Sequence, residues 1–571
     1  MKKVFIATLL FTTTYGHMAQ AANDLSTKEA YKAMLNLFTY NAEGKLIKSD
    51  VAFYVDNNGS AVCAYSTLKD ATRAEVVDAK GKKYNVSRIL GANATTDLVK
   101  FRVDGVKDNA YYHIVTMPAT TGQQLTLQSY TTNKKAIMPF ATVDSTEAFN
   151  ALAYYHISAG NDSHNYGCPL IDQDGSLVGV VQQNVEKNAT KACAIDARFI
   201  NALNITAASA FNSDLAALKI PRAIPDDKQA ALNYLFMLPT TDSLNCTTAY
   251  SDFIAQYPDM PDGYVQRAQY WAGKKQLEKA NNDYATALSK STTCTDTTAQ
   301  TEDAVHYAIS SSIYRNVMAA GKDSTLGHDW NLARAEHEAD LAYKAKPMAL
   351  YMVQKGNCQY AARNYQGAYT SFITACHDAA FATSETYFSA ARSLEMAKGD
   401  NQQVIALLDS CINRIPQNNN TQYAQFYLER SQRLLKAERY RDAVADYNQY
   451  EQMIGPRNLT DRFYDLRSQA EEKAHMYQQA LDDLHTAIAI AEQPLPYQID
   501  EAALLLNVGE YQRAIDAAQK VLTQWGDNAD CYKIIGVAHG ELKHKAEALK
   551  YLQRAKDLGD KSVDNFIEKY K

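Results

Sequence analysis

The sequence predicts a multidomain chain: an all-β N-terminal part followed by an all-α solenoid of paired helices. Three observations lead there. Up to residue 212, short β-branched and aromatic runs alternate with Gly, Asn and Asp turns at close spacing, the pattern of a barrel or sandwich. From about residue 227 the apolar period changes to that of helices with short breaks. Within that second part small residues recur at a fixed offset, and Ala443, Ala480, Ala514 and Ala548 lie 37, 34 and 34 residues apart.

Composition agrees. The chain has 571 residues, which is room for two to four domains or for one domain plus a repeat array. Hydrophobic residues make up 46% and charged ones 21%, so a substantial core is available and broad disorder is excluded. A net charge of −6 lacks the basic balance of a nucleic-acid-binding domain. With 24 Gly and 13 Pro against 38 Tyr, collagen-like character is excluded and helices are favoured.

In chain order, residues 1–21 read as a secretory signal peptide. Lys2 and Lys3 precede the apolar run Val4 to Phe11, and Ala19-Gln20-Ala21 offers a small-residue cleavage site. No Cys follows that site, so the mature chain is expected to be exported without a lipid anchor, to the periplasm or the cell exterior. Residues 22–212 form the β part. A short helix is expected over Thr27 to Phe38. Strands follow at Val51 to Val55, Ser60 to Ala64, Arg73 to Asp78, Tyr84 to Val86, Leu98 to Val103, Gln124 to Gln128, Tyr154 to Ile157 and Leu177 to Gln182. The turns Asp56-Asn-Asn-Gly59 and Ala79-Lys-Gly81 join the first two pairs. Residues 213–226, with Pro221 and Pro225, read as a linker, and 227–571 as the helical array. Gln417 to Thr421 is a polar loop within it.

Nine cysteines follow the signal, an odd number, so at least one thiol is free or pairs between chains. No CxxC, no Cys/His cluster of zinc spacing, no P-loop, no H-E-x-x-H, no EF-hand loop and no dinucleotide fingerprint occurs. No cofactor or metal is therefore expected.

The stretch Asn165-Tyr-Gly-Cys-Pro-Leu-Ile171, continued by Asp174-Gly-Ser-Leu-Val-Gly-Val180, resembles the nucleophile segment of trypsin-like serine proteases of the periplasmic type. Thr96-Asp97-Leu98-Val99 resembles their segment bearing the catalytic Asp. Gly59 to Lys69 resembles the stretch bearing the catalytic His, and Ala192-Cys-Ala-Ile-Asp196 the closing strand. The four segments occur in the family's order, and the resemblance implies a double β-barrel. Carried over by position, the Asp slot holds Asp97, the His slot falls on or near Ser66, and the Ser slot on Tyr166. The second Gly of the motif is Cys168. The first His after the signal is His113, well beyond the His slot. A phenol of pKa about 10 does not replace a serine nucleophile, so the resemblance is to a protease frame without its chemistry. Cys168 reads as a packed residue or as one half of a bridge, whose partner would then be Cys193, since both fall near the last strands of such a barrel.

The helical part resembles the tetratricopeptide repeat, a 34-residue pair of antiparallel helices. Offsets recur at Ala268, Ala280, Tyr284 and Ala287, at Gly356, Ala368, Phe372 and Ala375, and at Gly536, Ala548, Leu552 and Ala555. The resemblance implies a superhelix with a groove lined by the first helix of each pair. One groove position follows the small residue of that helix, and here it holds Gln269, Asn357, Gln432 and Gln469, whose amides suit a peptide backbone. The expectation is an exported, non-enzymatic binding or scaffold protein with an unidentified protein or peptide partner and no nucleic acid. The alternative is an active trypsin-like peptidase whose array recruits substrate.

Overall fold

The structure is a computed structural model that describes residues 29–133, 136–186, 189–321, 326–416 and 421–571. The expected signal peptide and most of the expected polar loop at 417–421 lie outside the described residues.

The β part is two closed six-stranded barrels. The first is built from β1 (Met34–Tyr40), β2 (Leu46–Tyr54), β3 (Ser60–Ala64), β4 (Arg73–Asp78), β5 (Lys83–Asn93) and β6 (Leu98–Val103). The second uses β7 (Gln124–Leu127), β8 (Phe140–Phe149), β9 (Leu152–Gly160), β10 (Pro169–Ile171), β11 (Leu177–Gln182) and β12 (Lys191–Asp196). The first closes in the order β1-β2-β3-β6-β5-β4. The second closes as β7-β8-β9-β12-β11-β10, the same path through six strands. All pairs are antiparallel.

Strand alternation sorts the core into layers. Leu35, Leu37, Ala52, Tyr54, Ala61 and Cys63 fill the first barrel. Their neighbours Met34, Phe53 and Val62 point the other way and meet Leu177, Val180 and Ile195 of the second barrel. Tyr155, Ile157, Cys168, Leu170 and Ala194 fill the second. The expected helix over Thr27 to Phe38 is corrected: after a 3-10 turn at Ala30–Ala33, the chain is strand β1. The alternation of Leu35 and Leu37 against polar Asn36 serves a barrel wall and overrides the helix-forming residues before it.

Residues 213–226, expected as a linker, are packed. They include the short helix α2 (Ser213–Ala216), after α1 (Tyr65–Leu68) in the first barrel. Leu215, Leu218, Ile220 and Ile224 are buried with the first barrel's interior. Ile89 of β5 donates its N–H to Pro221 and accepts from Ala223, at 2.8 and 2.9 Å. Just before this segment the chain passes Gly91 closely, since a Cβ there would stand 2.4 Å from the backbone of Leu203.

Four helices continue this compact unit, which ends at Thr301: α3 (Lys228–Met237), α4 (Ser243–Gln256), α5 (Pro261–Gly273) and α6 (Leu277–Ser291). Arg88 of β5 grips Asp252 of α4 with two bonds of 2.7 and 2.8 Å. Tyr234, Tyr250 and Phe253 join the first barrel's cluster.

The second compact unit runs from Glu302 to Lys571. Its helices are α7 (Glu302–Ala320), α8 (Leu332–Ala345), α9 (Ala349–Ala361), α10 (Tyr365–Ala375), α11 (Ser384–Met396), α12 (Asn401–Ile412), α13 (Ala424–Lys436) and α14 (Tyr440–Ile454). They continue as α15 (Asp461–Lys473), α16 (Tyr477–Ile490), α17 (Leu495–Asn507), α18 (Tyr511–Trp525), α19 (Ala529–Glu541), α20 (Lys545–Asp557) and α21 (Asp564–Tyr570). Consecutive helices pack in pairs. The small residues that recur in the sequence sit at the crossings: Ala368, Ala443, Ala480, Ala514 and Ala548 are all fully buried. A Cβ on Gly356 would stand 2.9 Å from the Phe372 ring, and one on Gly536 2.7 Å from Leu552. No helix among the described residues is long and apolar enough to cross a membrane.

Candidate functional site

Antiparallel pairing of β3 with β6 sets Ala64 opposite Leu98. The residues just beyond that pair are thereby forced together: Ser66 lies in α1, one turn past β3, and Asp97 immediately precedes β6. Asp97 adopts a left-handed φ of +50°, which aspartate tolerates better than most residues. Its carbonyl accepts the Tyr65 N–H at 3.0 Å, and its Oδ1 accepts the Ser66 N–H at 2.9 Å. The carboxylate therefore caps the first turn of α1.

Tyr166 arrives from the second barrel. The 3-10 turn Ser163–Asn165 carries the chain to Gly167, whose φ of +75° turns it into β10. The Tyr166 hydroxyl donates to Asp97 Oδ2 and lies 2.7 Å from Ser66 Oγ. Because the single phenol hydrogen goes to Asp97, the Ser66 hydroxyl donates to the phenol oxygen. Ser66 Oγ is also 3.4 Å from Asp97 Oδ2. The three residues picked out by position are thus in mutual contact. Burial, then the bond to Asp97, pushes the Tyr166 phenol above its usual range, with Ser66 opposing. The phenol stays protonated and serves as a donor.

Two features here were not visible in the sequence. Asp50 on β2 receives the Thr67 hydroxyl at 2.6 Å, and Lys48 Nζ donates to the Ser66 carbonyl at 2.7 Å. No motif marks either residue; strand pairing alone brings them to α1.

Histidines lie elsewhere. His156 bonds Glu147 at 2.9 Å and His164 bonds Asp162 at 2.7 Å. His113 packs at a tilt against Tyr111, with its Nε2 buried and without a partner among the described residues. The backbone N–H groups around Tyr166 are already spent. That of His164 goes to the Asp162 carboxylate at 3.0 Å, that of Tyr166 to the Ser163 carbonyl at 3.3 Å, and that of Gly167 to Val181 at 2.9 Å. That of Cys168 goes to Asn165 at 3.1 Å.

The candidate Cys168–Cys193 bridge is corrected: both thiols are free. Cys168 faces the interior of the second barrel with Leu170. Cys193 lies between Ala192 and Ala194, which face that interior, so alternation turns it to the opposite side of the wall. There it sits 3.5 Å from His156 Nδ1. Burial, followed by the Asp50 carboxylate, pushes the Cys168 thiol up to about 12. It is not a ready nucleophile.

Of the four expected groove amides, Gln269 belongs to the first compact unit and Asn357, Gln432 and Gln469 to the second. Gln432 and Gln469 are exposed, and Gln269 and Asn357 half-buried. Gln469 donates to Asp465 one turn earlier, at 2.9 Å. The helices also hold a feature that sequence reading missed. Arg267, Arg430 and Arg467 each grip an aspartate 16 residues on, Asp283, Asp446 and Asp483, with paired bonds of 2.6–2.8 Å. The repeated Arg-to-Asp spacing is a signal that could have found them. Among the described residues no cluster of three or more His, Cys, Asp or Glu could hold a metal ion.

No family model matches the chain, and no curated protein matches it. Among solved structures, the chain is similar to the MamO protease domain from Magnetospirillum magneticum in its apo form. Identity is 13% over 30% of this chain and 96% of that one, with a TM-score of 0.26. It is also similar to the Rv3671c protease from M. tuberculosis in its active form. There identity is 14% over 30% of this chain and 80% of that one, with a TM-score of 0.26.

Proposed function

We propose that the chain is an exported, non-enzymatic binding or scaffold protein. Its barrel pair is an inactive serine-protease-like domain, and its helices form a tetratricopeptide array whose groove takes a protein or peptide partner. The observation that carries the inactive reading is the Ser66–Tyr166–Asp97 contact. Acyl transfer needs a nucleophile, a base that takes its proton and donors aimed at the oxyanion. Here a serine hydroxyl donates to a protonated phenol, which donates to the carboxylate. Nothing in that chain removes a proton from Ser66, and the N–H groups beside Tyr166 are already satisfied, within their own turn or, for Gly167, by the Val181 carbonyl of β11. Repeated burial of one small residue per helix pair, at the spacing of the sequence repeat, supports the array.

The purified protein is expected neither to label with a fluorophosphonate nor to cleave casein. Reproducible labelling that is lost on Tyr166→Phe, Cys168→Ala or Asp97→Asn overturns the reading and returns the function to hydrolysis. Export is tested separately by mass spectrometry of the mature pool: an N-terminus at or next to Ala22 supports it, and a retained Met1 contradicts it.

A further inference from the structure

Helices α17, α19 and α21 enclose a groove of about 660 Å³, within the size range of ligand sites. Its apolar lining is Ile499, Ala503, Leu506, Ile534, Val537 and Phe566. Its charged lining is unbalanced in a specific way. Lys533 is turned aside, with Nζ 2.6 Å from Ser562 Oγ and 3.6 Å from Asp560. Glu541 is occupied by Lys569 and Tyr570, each at 2.6 Å. Asp500 and Asp530, by contrast, line the groove with no hydrogen-bond or ion-pair partner among the described residues.

Two further carboxylates stand behind them on α15. Asp465 receives only the neutral amide of Gln469, and Glu472 only that of Asn507, at 2.9 and 3.1 Å. The other three are close enough to act on Asp500. Burial, then Asp465, Glu472 and Asp530, raises the Asp500 carboxyl above its ordinary range. Like charges gathered without a cation beside an apolar surface cost free energy in the free protein, and a partner's cation relieves that cost.

We propose that this groove docks a short peptide segment in which lysine or arginine side chains meet Asp500 and Asp530 while apolar side chains fill the space over Ala503 and Val537. The assignment rests on the reading of the helices as a peptide-binding array and adds to it the place and the charge of the ligand.

The test uses the full chain and two fluorescent, end-blocked heptapeptides, one alternating leucine with lysine and the other leucine with glutamate. Fluorescence anisotropy is read at about 50 and 300 mM salt, where the screening length differs more than twofold. The lysine peptide should bind, more weakly at the higher salt, and the glutamate peptide at least about tenfold more weakly. Asp500→Asn with Asp530→Asn should cost the lysine peptide about tenfold. Both residues keep solvent access, although the groove wall crowds the Asp500 carboxyl, and the changes are near-isosteric, so the fold is retained. Ala503→Trp, which fills the groove, should abolish binding. Equal affinity for the two peptides, or an unchanged affinity in the double Asn variant, overturns the basic-peptide assignment and leaves the array reading standing. Binding of neither peptide to the native chain overturns both.

Discussion

Replacing Gly536 with alanine should reverse the usual sign of such a change. Inside a helix, alanine is favoured over glycine by roughly 0.5–1 kcal/mol, because glycine loses more backbone freedom on folding. Gly536 lies within α19, where that gain would apply. A Cβ there, however, would stand 2.7 Å from Leu552 Cγ and 3.0 Å from Leu552 N. The second contact is backbone of α20, so rotating the leucine does not relieve it and the two helices must separate. Overpacking of this kind costs about 1–3 kcal/mol. The balance is a net loss of roughly 1 kcal/mol, or a fall of about 2–4 °C in Tm for a cooperative unit of this size. Gly273→Ala is the matched control: it ends α5, and its Cβ would meet nothing within 4 Å. That variant should be neutral or slightly stabilised. Thermal and urea unfolding of the full chain, followed by circular dichroism, reads both. Leu552→Ala in the Gly536→Ala background should cost less than alone, since it removes the 2.7 Å contact with Cγ and leaves only the one with the backbone. A higher Tm for Gly536→Ala, or a double variant that is simply additive, would refute the close crossing of α19 with α20.

Stability of the second unit should also depend on pH through Glu471. Burial, then the Asp483 carboxylate, raises its carboxyl from 4.5 to about 8, against Arg467, and its Oε2 has no partner. The folded state thus holds a proton that the unfolded chain releases, so stability should fall by up to about 1.4 kcal/mol per pH unit between about pH 4.5 and 8. Glu471→Gln should flatten that slope in urea titrations, and an unchanged slope would exclude this group as its source. Arg467→Ala should cost about 3–5 kcal/mol by stranding buried Asp483, whereas Arg439→Ala, which breaks the exposed pair with Asp442, should cost about 0–1 kcal/mol. Similar urea midpoints for the two would contradict the buried clasp. Ala480→Leu should cost about 1–3 kcal/mol by overpacking while Lys473→Ala changes little; equal melting temperatures would place Ala480 away from the crossing. Tyr166→Phe should cost about 1–2 kcal/mol, softened by Ser66, whose Oγ is 3.4 Å from Asp97; a gain in stability would show the phenol bond to be a net burden.

Where turn residues bracket a short alternating or mostly apolar run, sequence reading located the strand, as at Arg73–Asp78 and Leu98–Val103, and at Ser60–Ala64 and Leu177–Gln182. It missed β8 because most of Phe140–Phe149 is exposed and carries no alternation to read. It misjudged β1 because helix-forming residues precede Met34 and propensity is a weak prior against tertiary demand. Ser66, Asp97 and Tyr166 were legible because three segments keep one order, and strand pairing brings their ends together. Asp50 was not, since nothing local distinguishes it from any strand carboxylate. The Cys168–Cys193 pairing failed for a geometric reason: proximity along neighbouring strands says nothing about which side of the wall each thiol takes.

The fate of the carboxylates along the second unit follows from one position on the first helix of each pair. Just before the small residue of the pair's first helix, α13 and α15 carry Arg430 and Arg467. Each closes on an aspartate of the next helix and also reaches the preceding one, Arg430 to Asp409 at 2.7 Å and Arg467 to Glu451 at 2.6 Å. These helices are therefore tied ionically both within and between pairs. At the equivalent position α17 and α19 carry Glu501 and Ile535. Glu501 meets His485, and Ile535 is buried in an apolar cluster with Ala502, Ala514 and Cys531. Packing there is apolar, and no arginine arrives to neutralise the carboxylates on the groove side. Asp500 and Asp530 stay unpaired because α17 and α19 carry no arginine at this position and the cations nearby, Lys533 and Lys569, are drawn to Asp560 and Glu541, which leaves the charge of the two aspartates available to a partner.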